Sequence, residues 1–585
     1  MQEPSKAFRL RGDGETCILP GPGRPGAVLL RDRKAGSLPT RRLLCLAVLA
    51  LACRQAPPAA TAAEKAEAPP PPQTVSDRVT LVFAASTAGQ LVPCGCSPDQ
   101  RGGLPRAVAW LKQLRAQAPN VLFADAGDLL FESSSRPPDQ LLTQKKLKAQ
   151  TLAGSEAMAG VVARALGPRD LALGGAFAVA SAGPVPLLDA GVAPVQGARA
   201  SILADAGPVQ VGFFAAGAEA DPKATIDARA KDLRARGARL VVMLAVPRGD
   251  GAFAQAQMLL PIARAAGVDL VVLGHLDDPA TEIDRKDPGA PPLLAVEGHA
   301  QSLLRVDVHL GTGPLRLAPT EEDKQGEVKI LDDRIARFKT QLEGHPERKA
   351  QIGGKIDELE KRRQEILDAP LEKPPAGSTW AQAVFVPMNE KIASDPEAQK
   401  LVDAYDQSVA ELNLKEAKLQ PESCPAPGAR EAAYVGVSAC AQCHQSEVAF
   451  WAQTRHAHAY ETLVTAKKQF SLDCITCHVT GWQQPGGVCR IDRAGVGSPG
   501  IGQRGIGRQD VQCEACHGPG SLHADDPLVK LREEVPASWC MRCHEPANSP
   551  KFDDAKYRPY IVGPGHGEAV AQGQKPGPRP GGPNR

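Results

Sequence analysis

Cys440-Ala-Gln-Cys443-His444, Cys474-Ile-Thr-Cys477-His478, Cys513-Glu-Ala-Cys516-His517 and Cys540-Met-Arg-Cys543-His544 all fall within 105 residues near the carboxyl end of the chain. With 15 Cys and 12 His in 585 residues, about 0.008 motifs of the form Cys-x-x-Cys-His are expected by chance. Two thiols three positions apart lie on one side of a helical turn, where they can form thioethers with the two vinyl groups of one haem. The adjacent His then sits under the iron and binds it. Zinc sites do not require a His directly after every second Cys, and a redox Cys-x-x-Cys usually occurs once, inside a βαβ pattern. The spacing therefore predicts four haem c groups, with His444, His478, His517 and His544 as the proximal iron ligands.

Histidine arithmetic bears on what those haems do. Residues 424–585 hold eight of the 12 His. Besides the four proximal ligands they are His456, His458, His523 and His566. A sixth ligand from His suits an iron that only relays electrons, whereas an iron without one can bind a small molecule. Four spare His permit complete bis-His ligation. His456 and His458 are neighbours, however, so three six-coordinate haems and one open site remain the alternative. The segment has few apolar runs of its own, so the haems are expected to serve as its core and the haem-free domain to be largely unfolded.

The run Trp451-Ala-Gln-Thr-Arg-His456-Ala-His458-Ala, the block Cys513–His517 continued as Gly-Pro-Gly-Ser-Leu-His523, and Gly563-Pro-Gly-His566-Gly resemble the tetrahaem cytochrome c family associated with hydroxylamine oxidation. The resemblance covers roughly residues 434–568. It implies that His456, His523 and His566 supply distal ligands and that haems pack in close pairs; His458 is the remaining distal candidate.

Upstream the pattern changes. Short apolar runs (Val79–Ala85, Val121–Ala126, Leu171–Gly174, Val209–Ala216, Leu240–Val246, Val268–Leu273, Leu293–Val296 and Leu303–Leu310) alternate with Ala/Leu/Arg-rich stretches such as 105–118 and 225–237. Such runs read as buried strands of an α/β sheet with helices between them. Ligands in such sheets collect at the carboxyl ends of strands. There Phe123-Ala-Asp-Ala-Gly-Asp128, Asp269-Leu-Val-Val-Leu-Gly274-His275 and Glu297-Gly-His299 resemble calcineurin-like metallophosphoesterases, especially the bacterial 5′-nucleotidase branch. The departures are as telling as the matches. The first strand, where the family has Asp-x-His, ends in Ala85-Ser86-Thr87. The positions after Gly174, where an Asn-His pair is expected, hold Gly175 and Ala176. Val246, Pro247 and Arg248 replace a later His, and Asp277 stands for another. A two-metal site needs about six or seven ligands. Asp128, His275 and Asp277 remain, so no divalent metal and no phosphatase activity are expected there.

Cys94 and Cys96 occupy the lost first loop. They read either as structural disulfides joined to Cys424 and Cys489 in some order, as expected of leftover cysteines in an exported protein, or as a thiolate pair that binds a metal or exchanges disulfides. Residues 320–372 place Val328, Leu331, Ile335, Phe338 and Leu342, then Ile352, Ile356, Leu359 and Ile366, at helical spacing on either side of His345-Pro346. That predicts an antiparallel helical hairpin, with a third helix near 393–417.

At the amino end Arg41-Arg42 precede a ten-residue apolar run, Leu43–Ala52, too short to span a bilayer of roughly 30 Å but right for an export signal. Its end, Ala50-Leu51-Ala52-Cys53, resembles a bacterial lipoprotein signal, which implies lipidation at Cys53. A net charge of +2 gives no reason to expect nucleic acid.

The sequence thus predicts a multidomain chain: a leader with an extension (1–53), a disordered tether (54–78), an α/β metallophosphoesterase-like sandwich with a degenerate site (79–318), a helical hairpin linker (319–420), a mostly helical and irregular tetrahaem cytochrome c domain (424–568) and a disordered tail (569–585). The expected function is electron transfer in the periplasm or cell envelope, between redox partner proteins and with a lipid anchor to a bacterial membrane. The alternatives are a haem enzyme acting on a small nitrogen or sulfur species, and a bifunctional protein that keeps hydrolase activity. No residue is assigned a catalytic role.

Overall fold

The computed structural model describes residues 78–563, with breaks at 94–99, 119, 248–250, 275–281, 285–286, 288, 345–348, 372–373, 422, 495–506, 546–547 and 550–551. The leader, the tether up to residue 77, the tail and Cys53, Cys94, Cys96, His275, Asp277 and His566 lie outside the described residues; Arg78, expected in the tether, begins the first strand.

The chain begins with β1 (Arg78–Ala84), α1 (Leu104–Gln117), β2 (Val121–Asp125), α2 (Asp139–Ala159), β3 (Val161–Ala165), α3 (Gly175–Ala182) and β4 (Leu187–Leu188). It continues through β5 (Ile202–Ala206), β6 (Val209–Ala216), α4 (Pro222–Ala235), β7 (Leu240–Ala245), α5 (Ala252–Ala265), β8 (Leu270–Leu273), β9 (Glu282–Asp284), β10 (Leu293–Ala295), β11 (Ser302–His309) and β12 (Thr312–Leu317). Then come α6 (Glu321–Gly344), α7 (Lys349–Asp368), β13 (Ser378–Pro387) and α8 (Pro396–Ala417).

The strands form two mixed sheets, ordered β12-β13-β11-β1-β2-β3-β4 and β5-β6-β7-β8-β10-β9. Phe83, Phe213, Val242, Val272, Leu304 and Val306, all essentially inaccessible, fill one core drawn from both sheets. The apolar faces turned away from that core are covered by helices: Leu111 of α1 joins the Val82 face of the first sheet, and Leu233 of α4 joins Val241 and Val271 of the second. A strand covered on both sides must be apolar throughout, which is why these runs were legible.

Two expectations are corrected. The third strand is Val161–Ala165, not Leu171–Gly174, which is a 3-10 turn and loop. Arg164 interrupts the apolar run, yet it is fully buried in the strand. Its Nη1 donates to Glu156 Oε2 of α2 at 2.7 Å, and a buried charge is tolerated only when so paired. The segment after the hairpin is likewise not all helical: Ser378–Pro387 alternates inward and outward residues and pairs antiparallel with β11, Leu304 opposite Phe385.

The hairpin itself is as expected. Ile335 packs with Ile352 and Ile356, and Arg363 Nε meets Asp332 Oδ1 at 2.5 Å across the pair. α8 starts where Asp395 accepts hydrogen bonds from Glu397 N and Ala398 N, an N-cap.

The carboxyl-terminal region is a set of short helical turns. Its small apolar cluster centres on Tyr460, Leu463, Ile475, Val479 and Ile491. The polypeptide supplies little core of its own here.

Candidate functional site

All four Cys-x-x-Cys-His segments adopt a helical turn. The second and third lie in the helices Leu472–His478 and Cys513–His517. In the first and fourth, the His444 and His544 amides donate to Cys440 O and Cys540 O, each at 2.9 Å. The Cys440 thiol neighbours that of Cys513, and the Cys477 thiol neighbours that of Cys543. The first motif therefore lies beside the third and the second beside the fourth.

The imidazoles are oriented by their outer nitrogens. His478 Nδ1 donates to Ala459 O at 2.5 Å and His517 Nδ1 to Arg532 O at 2.7 Å; His544 Nδ1 faces Ser549 Oγ at 3.2 Å. A carbonyl can only accept, so Nδ1 of His478 and of His517 carries a proton, which leaves Nε2 as the nitrogen placed to bind a metal. His523 is held the same way, Nδ1 to Val529 O at 2.7 Å.

Two pairs of rings face each other. The centres of His444 and His523 are 6.2 Å apart, and those of His456 and His544 are 6.3 Å apart. Two imidazoles that share one metal ion at about 2 Å per nitrogen have ring centres about 6 Å apart. The spacing fits one iron in each gap. Burial, and then the neighbouring His544, push the His456 pKa down to about 4, so the ring is neutral near pH 7. His458 does not join a pair. Its side chain is 60% exposed and lies 3.7 Å from Glu461, and its Nε2 meets Ala452 O at 3.2 Å. Among the described residues no imidazole faces His478.

Several supporting residues carry no signal at the level of the motif. Glu514, an interior residue of the third motif, is buried. It accepts from Val435 N (2.9 Å), Gly436 N (2.7 Å) and Gly520 N (2.7 Å), fixing the approach to the first motif against the third. Gln512 Oε1 accepts from Val437 N at 2.8 Å, and Trp539 Nε1 donates to Ala515 O at 2.9 Å, which docks the fourth motif on the third. The disulfide expectation is corrected: Cys424 bonds Cys489, with Cα atoms 5.2 Å apart, so neither is joined to Cys94 or Cys96.

At the carboxyl ends of the sandwich strands the picture differs. Asp128 is fully buried in the left-handed backbone region, φ 61°. Its Oδ1 accepts from Arg169 N at 2.8 Å, and the Arg169 guanidinium stands 3.8 Å from Oδ2. Arg169 lies in the loop after β3, so it is that loop, and not Gly175-Ala176, that reaches Asp128. Glu297 is held by both Nη atoms of Arg101 at 2.8 and 2.7 Å and by Ser302 Oγ at 2.7 Å. His299 lies nearby, its pKa lowered by burial and then by Arg169, with Nδ1 buried and unpartnered. Among the described residues no three His, Cys, Asp or Glu side chains gather as a metal-ion site.

Residues 439–518 match the family model described as cytochrome c554 and c-prime. The carboxyl-terminal region is similar to the cytochrome c554 family. A curated relative, cytochrome c-554 of Nitrosomonas europaea, is 34% identical over 107 residues, covering 16% of this chain and 41% of the relative. Among solved structures the chain is similar to a 5′-nucleotidase precursor from Thermus thermophilus, with a TM-score of 0.38, 17% identity and 62% of each chain covered. It is also similar to a calcineurin-like phosphoesterase from Bacillus subtilis, with a TM-score of 0.34, 11% identity, and 57% of this chain and 97% of that one covered. The chain thus spans less than two thirds of the cytochrome c-554 and of the Thermus protein. The cytochrome c554-like match contains the first three Cys-x-x-Cys-His turns, and the fourth follows it.

Proposed function

We propose that this protein is a tetrahaem c-type cytochrome of the bacterial cell envelope that relays single electrons, with the α/β sandwich as a non-catalytic scaffold. The observation that carries the reading is the pair of facing imidazoles, His444 with His523 and His456 with His544, at 6.2 and 6.3 Å. Bound haem supplies a one-electron couple. The chain's own part would be to attach it through two thiols per turn, to orient the His478, His517, His523 and His544 rings that would hold it through their Nδ1 contacts, and to place the first motif beside the third and the second beside the fourth. Imidazoles held in this way would let a bound haem change charge with little rearrangement of the chain. The export signal and Cys53 support a lipid-tethered location, and donor and acceptor proteins are the expected partners.

Arg169 supports the scaffold role of the sandwich: its guanidinium supplies, next to Asp128, the positive charge that a divalent ion supplies in a working two-metal site.

A second reading, a haem enzyme acting on a small ligand at one open haem, is favoured by His458: its side chain is 60% exposed and turned to Glu461, which leaves His456, His523 and His566 as spare imidazoles for four irons.

Counting haem iron per polypeptide in protein made by a host with haem-attachment machinery tests the first reading. Four per chain is expected, and fewer than four rejects it. A high-spin signal that shifts when a small ligand is added establishes the second reading, and an entirely low-spin spectrum rejects it.

A further inference from the structure

A buried charged cluster joins the sandwich to the second motif. Lys145 and Lys148 lie one turn apart on α2, with side chains only 13% and 10% exposed. Lys145 Nζ is 2.6 Å from Glu132 Oε1 and 2.8 Å from Asp473 Oδ1. Lys148 Nζ is 3.0 Å from the same Glu132 oxygen and is ion-paired with Asp473 Oδ2. Asp473 immediately precedes Cys474. Two cations and two anions alternate, so the cluster sums to zero charge.

The same face of α2 holds the helix Leu472–His478 by its start. Gln144 Oε1 accepts from Leu472 N at 3.1 Å and from Asn413 Nδ2 of α8 at 2.8 Å. Asn413 also donates to Phe470 O at 2.7 Å. These polar groups are buried and mutually satisfied, an arrangement that specifies one docking geometry.

Burial alone would push the Asp473 carboxyl up and the Lys148 ammonium down. For Asp473, Lys148 and then Lys145 outweigh burial and hold the carboxyl below the usual carboxylate range. For Lys148, Asp473 and then Glu132 outweigh it and keep the ammonium charged. Both members therefore stay ionised. Each is a fixed charge in a poorly screened place, beside the thiol that carries the second haem.

We propose that Lys148 and Lys145 of α2 are positioning residues for the second haem, and that by neutralising Asp473 they set its reduction potential. This rests on the reading of Cys474, Cys477 and His478 as a haem site. The step concerned is the gain of one electron by ferric haem, delivered by dithionite and withdrawn by ferricyanide in the titration below. An uncompensated anion nearby favours the ferric state and an uncompensated cation the ferrous state. Lys148→Met leaves the cluster at −1 and lowers the midpoint; Asp473→Asn leaves it at +1 and raises it. The pair of substitutions together restores neutrality.

The test is a potentiometric titration of the full-length, haem-loaded protein, followed in the Soret band. The second haem is assigned by its loss in Cys474→Ser/Cys477→Ser. Iron is counted first in the unaltered protein, because fewer than four haems there defeats the proposed function and not this inference. The expected result is one midpoint of four displaced by about tenfold in its equilibrium, about 59 mV for one electron. The displacement is downward in Lys148→Met, upward in Asp473→Asn and largely cancelled in the double variant. Lys148→Arg, which keeps the charge, holds the midpoint, and so does Lys400→Met on the exposed side of α8. The inference is overturned if the second haem's midpoint stays put in both single variants, or moves in the same direction in both. Where Lys148→Met fails to load haem, Asp473→Asn and the double variant decide by the same criterion.

Discussion

His456 and His544 face each other across 6.3 Å although 88 residues separate them in the chain. The His456 side is anchored beside the third motif: Val511 N donates to His456 O at 3.0 Å, and Trp451 Nε1 donates to Val511 O at 2.8 Å.

Replacing either ring of a facing pair without removing the haem attachment should convert one low-spin iron to high-spin. His456→Ala and His523→Ala are each expected to do so for one haem of four. His458→Ala is expected to leave the spectrum unchanged. Magnetic or Raman spectra of the three variants decide this, and a change in His458→Ala counts against the assignment.

The pairing of Asp128 with Arg169 and of Glu297 with Arg101 is expected to leave the sandwich without phosphatase chemistry. The purified full-length protein should release no phosphate from nucleotides in the presence of manganese or zinc. Its melting temperature should also be unmoved by those ions, because an ion that binds the folded state must stabilise it. Metal-dependent turnover is the contrary result.

The Cys424–Cys489 bond closes a loop with a sequence separation of 65. In the chain-entropy account that is about 4 kcal/mol of stabilisation. Cys424→Ser/Cys489→Ser should lower the unfolding free energy of the haem region by up to that amount without changing the haem count. Denaturant unfolding followed in the Soret band measures it.

Asp510 has φ 73° and accepts from Tyr460 N at 2.8 Å. Burial raises its pKa to about 6, partly offset by that N–H. A carboxyl with a raised folded-state pKa costs stability where it must ionise. The cost is absent below the unfolded pKa of about 4 and complete above about 6. Asp510→Asn keeps the hydrogen-bond acceptor and tolerates the left-handed backbone. It should stabilise the protein at pH 7–8, by about 1 kcal/mol after allowing for solvent screening, and give no advantage at pH 4. Thermal melts across pH 4–8 test the sign.

A Cys53→Ser variant should lose membrane association while keeping its haems. Fractionation of the producing cells checks this expectation of the leader.

What the sequence determined by itself was local. Four thiol pairs, each with its adjacent His, need only one turn of chain to define a candidate haem attachment, and strands buried on both faces announce themselves as unbroken apolar runs. The hairpin was legible for the same reason, since Ile335, Phe338 and Leu342, and then Ile352, Ile356 and Leu359, recur at helical spacing on either side of His345-Pro346. What only the tertiary structure decided was which distant residues meet. β3 was hidden because Arg164 breaks its apolar run, and its partner Glu156 becomes visible only when α2 packs on the sheet. Pairing Cys424 with Cys489, setting Arg169 against Asp128, and assigning His523 to His444 rather than to another proximal ring all depend on side chains brought together from far apart in the chain. Spacing along the chain does not encode such distances. The Lys148–Asp473 pair is the clearest instance: each alone reads as an ordinary surface charge, and only docking removes both from water and gives them something to act on.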